Sequence, residues 1–346
     1  LIFSYEDKTW QIAPQDINLT ADIEATLDYA YSIGHSGSWL ENLLENIHCA
    51  FYGRRITFIV SYDGTALKNK LDGIAAAVNT KPRSARCFLG DGGSIQHQPA
   101  VIGRSLDTEA LAENVNDALL HLELPKRSQL IVSEATPAIT DEDLAQVDTV
   151  LSSYTTHFNG GNANRSQNIR IAAGELDQQL IRNGGEFSFN QTVGSRAASA
   201  GYRDAAVIIE GKVEQDIGGG VCQVSSTLYN AVLLAGLQST ERTSHFYPSS
   251  YVPAGLDATV ADGQLDFKFR NVLPHNVYLL SSVYGSTLTI FVLGTRADLD
   301  GSRITLRTRT EKPGPGPVVS AYRIYQKNGQ EVNREFLHTD HYDVQG

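Results

Sequence analysis

Methionine is missing from all 346 residues, cysteine occurs three times and tryptophan twice. No apolar run reaches the roughly 18 residues that a membrane-spanning helix requires, and no leader is visible ahead of Leu1. The chain therefore reads as a trimmed or mature form from which any N-terminal export signal or anchor has been removed. Gathered basic residues are lacking as well. The densest group is Lys81, Arg83 and Arg86, in a chain of net charge −11. A nucleic-acid backbone is excluded as a partner, because phosphate binding needs clustered lysine and arginine, and broad adsorption to anionic lipid or polymer is disfavoured. The cysteines, Cys49, Cys87 and Cys222, show no CxxC pairing, and the nine histidines show no HxxxH or HxH pair. These absences speak against a structural zinc site and a metal hydrolase, and neither a metal nor an organic cofactor is expected. Three is also an odd number, so at least one thiol is free unless it pairs between chains; whether Cys49 and Cys87 pair stays open.

What is present is a hydrophobic fraction of 41%, enough for real cores, in a length that suits two or three domains. Thr20 caps a helical pattern running to about Tyr31, and residues 36–39 open a second one. The β-branched run from Arg55 to Tyr62 predicts a strand, Thr65 starts a helix to about Val78, and short strands surround Asp91-Gly-Gly93. A helix over 108–122 has Asp107 or Thr108 as its cap, and Thr140 precedes a short acidic one. Helix and strand alternate without βαβ regularity, which predicts an α+β fold. The character of the chain changes near residue 150, which sets a domain 149–346 apart. Residues 31–36 weakly echo 101–105, leaving an internal duplication open. The Pro-Gly-Pro-Gly-Pro run at 313–317 reads as a rigid linker or turn.

The stretch that carries chemistry is Asp216-Ile-Gly-Gly-Gly-Val-Cys222-Gln-Val-Ser-Ser-Thr-Leu-Tyr-Asn230. Glycines in series free the backbone. Val224, Leu228 and Val232 then fall at helical spacing, with Gly236 as a C-cap. Cys222 thus lies at a helix N-terminus, where free N–H groups favour a thiolate and can hold an oxyanion. His245 is the next histidine and Asp257 follows it, so a Cys222–His245–Asp257 set of nucleophile, base and orienting group is the candidate machinery. Gly219, Gly220, Gln223, Ser225, Ser226 and Tyr251 are the candidate substrate contacts. Each has an ordinary alternative: a cysteine after glycines packs as a small hydrophobe, a lone histidine is structural, an aspartate beside glycine stabilises a turn, and the serines line a helix face.

Residues 185–190 (Gly-Glu-Phe-Ser-Phe-Asn), 194–201, 218–230, the His245 region and 265–271 (Leu-Asp-Phe-Lys-Phe-Arg-Asn) resemble the VanW family in order, across about residues 150–345. Residues 55–145 resemble the peptidoglycan-binding domain that often precedes it, and 1–54 look like the remainder of another copy; the resemblance thus implies a division of the rest of the chain into 1–54 and 55–148. Residues 180–187 are short for that family. Together with the missing methionine, this fits a natural chain whose methionines this sequence omits; an intact mass above 37.7 kDa by whole methionine residues would show them. The resemblance implies an exported, cell-wall-associated protein of a Gram-positive-type bacterium, tethered by an N-terminal membrane helix, with peptidoglycan peptide stems as its partner. The family takes its name from glycopeptide-resistance clusters, although most members are not resistance determinants. Some members are associated with L,D-transpeptidation through the motif cysteine, which maps onto Cys222. Where the family often has His-x-His, this chain has Thr243 and His245. Three functions follow: a cysteine L,D-transpeptidase, a non-catalytic wall-binding or scaffold module, and a cysteine peptidase of wall peptides. A catalytic Cys222 lies in a cleft within reach of His245; a packing one is buried among Val224 and Leu228.

Overall fold

The structure, a computed structural model, describes residues 1–121, 125–209, 212–311 and 316–344. Residues 313–315 of the proline run, and Leu122 at the expected end of a helix, lie outside them. The chain divides into two compact units, Leu1–Arg83 with Val101–Ala138, and Ser84–Ala100 with Ile139–Gly346.

In the first unit the strand Ile2–Tyr5 pairs antiparallel with Lys8–Gln11 and parallel with Arg127–Gln129. Its helices are α1 (Ile23–Ser32), α2 (Trp39–Tyr52), α3 (Gly64–Val78) and α4 (Thr108–Leu120). Helices α3 and α4 start where Asp63 and Asp107 accept the first free N–H groups, the usual task of a short acidic cap. Leu67, Leu71, Ile74 and Val78 on α3 and Leu111, Val115 and Leu119 on α4 form apolar stripes. These stripes close over Phe3, Ile12, Ile17, Leu106 and Leu130. Thr20 is not the cap of α1. Thr20–Asp22 is a strand paired with Ile59–Ser61, and Asp22 caps the helix by accepting from the Ala25 N–H at 2.9 Å. Helix α2 buries none of its residues, leaving Trp39, Leu43, Ile47 and Phe51 exposed.

The second unit holds α5 (Asp141–Leu144), α6 (Ala163–Leu176), α7 (Phe189–Val193) and α8 (Val221–Leu234). A four-stranded antiparallel sheet runs Thr149–His157, Thr287–Gly294, Val277–Tyr284, Gln179–Ile181, with α6 and α8 against it. A second sheet joins Glu186–Ser188, Lys268–Arg270 and Gln238–Glu241. A third is the meander Arg303–Glu311, Val318–Lys327, Gln330–His341. One core, including Ile169, Leu176, Phe187, Phe189, Leu228, Phe267 and Phe269, joins these layers. The hairpin Arg86–Leu89/Ile95–Gln98 belongs to this unit, where Ala85 and Cys87 pack with Tyr278, Leu280 and Leu293. The fold is mixed α and β throughout, as α+β patterning predicts. No helix among the described residues is long and apolar enough to cross a membrane.

Candidate active site

Helix α8 positions the site, and the glycines before it decide how it starts. Gly220 is its N-cap at φ +110°, a conformation that L side chains rarely adopt. A Cβ there would sit 3.0 Å from Ile169 Cγ1 and 3.1 Å from Arg165 Cγ, so only glycine lets α8 press this closely on α6. Cys222 is the second residue of the helix. Its N–H belongs to the first turn, which has no intrahelical acceptor, and makes no hydrogen bond among the described residues.

The helix is apolar or buried on nearly every face, so its polar side chains must bond to protein. They do so by pinning the loop that faces Cys222. Ser225 Oγ donates to the Ala258 carbonyl at 2.6 Å, and Ser226 Oγ accepts from the Ala258 N–H at 2.9 Å while donating to the Cys222 carbonyl at 2.7 Å. Asn230 donates to the Leu256 carbonyl at 2.7 Å. Gln223 accepts from Arg165 at 3.0 Å and donates to the His157 carbonyl at 2.9 Å. Ser225, Ser226 and Gln223, which the sequence offers as substrate contacts, are fully buried and engaged with the chain itself. Gly219 and Gly220 are buried too, the Gly219 carbonyl accepting from Asn168 at 3.0 Å. Their contribution to any ligand is limited to the backbone.

The pinned loop brings Asp257 to His245. Asp257 is fully buried; its Oδ2 receives His245 Nδ1 at 2.6 Å and the His245 N–H at 2.7 Å. Asp257 Oδ1 accepts from the Tyr342 hydroxyl at 2.5 Å and from Arg242 Nη2 at 3.3 Å. With Nδ1 committed to Asp257, Nε2 is left for chemistry. Tyr251 stands edge-on to the imidazole with its hydroxyl 3.4 Å from Nε2. Cys222 is half-buried and donates to the Val260 carbonyl at 3.4 Å, with His245 near enough to act on its thiol.

The electrostatics follow from these contacts. Burial works to raise the Cys222 thiol, but the bond to His245, the charge of that imidazole and the Arg196 guanidinium outweigh it and hold the thiol below its ordinary value. Burial likewise disfavours imidazolium, yet the bonds to Asp257 and Cys222 raise His245 to about 9. Asp257 is held below the usual carboxylate value despite its burial, by His245, Tyr342 and Arg242. The two shifts, thiol down and imidazole up, both act toward a thiolate beside an imidazolium. Cys87 is the contrast: free but wholly buried, 3.7 Å from His97 Nδ1, its thiol is pushed up to about 11 by burial and is poorly reactive. Among the described residues no group of three or more His, Cys, Asp or Glu side chains could hold a metal ion.

Comparison with known proteins follows the same division of the chain. Residues 164–293 match the family model "VanW like protein", and residues 10–125 match "Putative peptidoglycan binding domain". "Uncharacterized protein YoaR" of Bacillus subtilis (strain 168) is 37% identical over 217 residues, 62% of this chain and 70% of that protein. The chain belongs to the VanW family. "Vancomycin B-type resistance protein VanW" of Enterococcus faecalis (strain ATCC 700802 / V583) is 32% identical over 134 residues, 37% of this chain and 49% of that protein. No solved structure matches. Cys222, His245 and Asp257 all fall within the VanW-matching segment. Tyr342 and Asp340, which complete the surroundings of Asp257 and Arg242, fall outside it. Sequence reasoning missed both, because Tyr342 lies 85 residues from Asp257 and Asp340 lies 98 from Arg242; it missed Arg242 as well, 15 residues from Asp257, because no local pattern marks it. At the family's other histidine position, Thr243 is exposed and its carbonyl accepts from the Thr259 N–H at 2.8 Å.

Proposed function

We propose that this VanW-family protein is a cell-wall-associated cysteine acyltransferase of the L,D-transpeptidase type, acting on peptidoglycan peptide stems. The observation that carries the reading is the 2.6 Å bond from His245 Nδ1 to buried Asp257, which leaves Nε2 for chemistry in an imidazole that lowers the thiol of the half-buried Cys222. The match of residues 10–125 supplies the wall partner: a linked binding unit raises the local concentration of stems at the thiol. A place outside the cell membrane, with an N-terminal anchor in the natural protein, belongs to the same reading.

The chemistry balances within the site. The Cys222 thiolate attacks the acyl carbon between an L-centre and a D-residue. The oxyanion forms beside the unpartnered Cys222 N–H, with the Tyr251 hydroxyl close by. The C–N bond breaks as His245 Nε2 gives its proton to the leaving amine, and a thioester remains. The amine of a second stem then attacks, His245 recovers a proton from it, and thiolate departs. Water in place of that amine makes the enzyme a peptidase.

The test is incubation with purified disaccharide-tetrapeptide, with products resolved by mass spectrometry for the natural protein and Cys222→Ala. Dimeric stems absent from the variant are expected, with a rate that declines above about pH 9 as His245 loses its proton. Trimmed monomers alone would assign hydrolysis. No product from either protein, with muropeptide binding intact in both, would replace this reading by a non-catalytic wall-binding module.

A further inference from the structure

The meander at the C-terminus lies beyond the segment that matches the VanW model, yet it reaches the buried carboxylate of the site. Tyr342 is 3% exposed. Its hydroxyl receives the Gly255 N–H at 2.7 Å and donates its single hydrogen to Asp257 Oδ1 at 2.5 Å. Asp340, on the strand Gln330–His341, accepts from Arg242 Nη1 at 2.6 Å and is held down to about 2, its burial outweighed by His338 and Arg242. Arg242, so anchored, donates through Nε to the Asp257 carbonyl at 2.6 Å and lies 5.4 Å over the Tyr229 ring. His338 closes the far side, with Nε2 3.0 Å from the Gly255 carbonyl. The face of Asp257 turned away from His245 is thus occupied by groups from a segment 83 residues further on.

We infer that Tyr342 and the Asp340–Arg242 pair are positioning residues: they fix the Asp257 carboxylate against His245 Nδ1, and through the imidazole they set how much of Cys222 is thiolate. The inference rests on the cysteine-nucleophile reading and extends it to residues outside the matched domain. A carboxylate with one oxygen fixed by a phenol and a guanidinium cannot rotate, so its other oxygen stays on the imidazole. Freed of Tyr342, Asp257 can turn, imidazolium loses its partner, and the thiol regains a more ordinary acidity. The charged or titratable groups facing this chain of contacts are Arg196 at Cys222, Tyr251 at His245, and Arg242, Tyr342, Asp340 and His338 around Asp257.

The test needs no substrate. Alkylation of Cys222 by iodoacetamide is followed on its own peptide by mass spectrometry across pH, in the full chain, for the natural protein, Tyr342→Phe and Glu335→Gln. Glu335 is a control from the strand Gln330–His341 that leads to Tyr342: it holds Arg323 at 2.8 Å and 3.0 Å. Tyr342→Phe is expected to move the Cys222 midpoint up by about one pH unit, the scale of one hydrogen bond to a charged group, while Glu335→Gln leaves it in place. An unmoved midpoint in Tyr342→Phe, with the natural protein still titrating low, would overturn the inference and spare the nucleophile reading. Equal shifts in both variants would overturn it too, since loosening the strand would then suffice. A natural-protein midpoint as high as that of an ordinary thiol would remove the nucleophile reading and the inference with it.

Discussion

Asp257→Asn is expected to slow stem transfer by roughly 10³–10⁴-fold, the scale seen when the orienting carboxylate of a triad becomes an amide. The amide keeps the volume but removes the charge that raises His245 to about 9, and with it the imidazolium that holds the Cys222 thiol down. The same variant predicts a pH signature in stability. His245 has a folded value above the ordinary 6.5, so its contribution is complete below 6.5 and is lost as pH rises through about 9. Asp257 is lowered from 3.8, so its contribution is present above 3.8 and is lost as pH falls through its folded value. The thermal midpoints of natural protein and variant should therefore differ most between pH 3.8 and 6.5, and the gap should narrow toward about pH 9. A gap that stays constant across this range would mean that Asp257 matters only as a packed shape.

Gly220→Val should be the most damaging single change to the fold near the site. The residue sits at φ +110°, where a β-branched side chain is strained, and its Cβ would meet Ile169 and Arg165 at 3.0 and 3.1 Å. Strain and overpacking each cost about 1–3 kcal/mol, so urea unfolding should show a loss of roughly 2–6 kcal/mol, with Gly220→Ala at the lower end. Because Gly220 caps α8, the change also re-aims the Cys222 N–H, and alkylation of Cys222 should slow in whatever fraction remains folded. An unaltered unfolding midpoint would show that α6 yields more readily than its buried Asn168, Ile169 and Ala172 suggest.

Much of this architecture was written locally. Helices over 64–78, 108–120 and 221–234 announce themselves through caps and apolar spacing, and the glycine run before Cys222 predicts a thiol at a helix start. Thr20 misleads because it resembles a cap. The chain there is extended against Ile59–Ser61, and pairing between segments forty residues apart leaves no mark on three residues. Ser225 and Ser226 mislead for a different reason. Periodicity separates the faces of a helix only when one face meets water, and α8 is enclosed, so the sequence does not show that its hydroxyls bond the loop at 256–260. His245 and Asp257 can be picked out by type and proximity in sequence, but the clamp from Arg242, Asp340 and Tyr342 depends on the path of a distant strand.

The hairpin at 86–98 carries a consequence of another kind. The chain passes between its two units at 83/84, at 100/101 and again at 138/139, so no single junction separates the wall-binding segment from the thiol-bearing one. A gene rearrangement that joined a foreign binding module at one breakpoint after residue 138 would remove Ala85 and Cys87 from beside Tyr278, Leu280 and Leu293 and leave that apolar surface bare. A swap of the binding unit that keeps the hairpin at 84–100 with the thiol-bearing unit therefore needs more than one breakpoint.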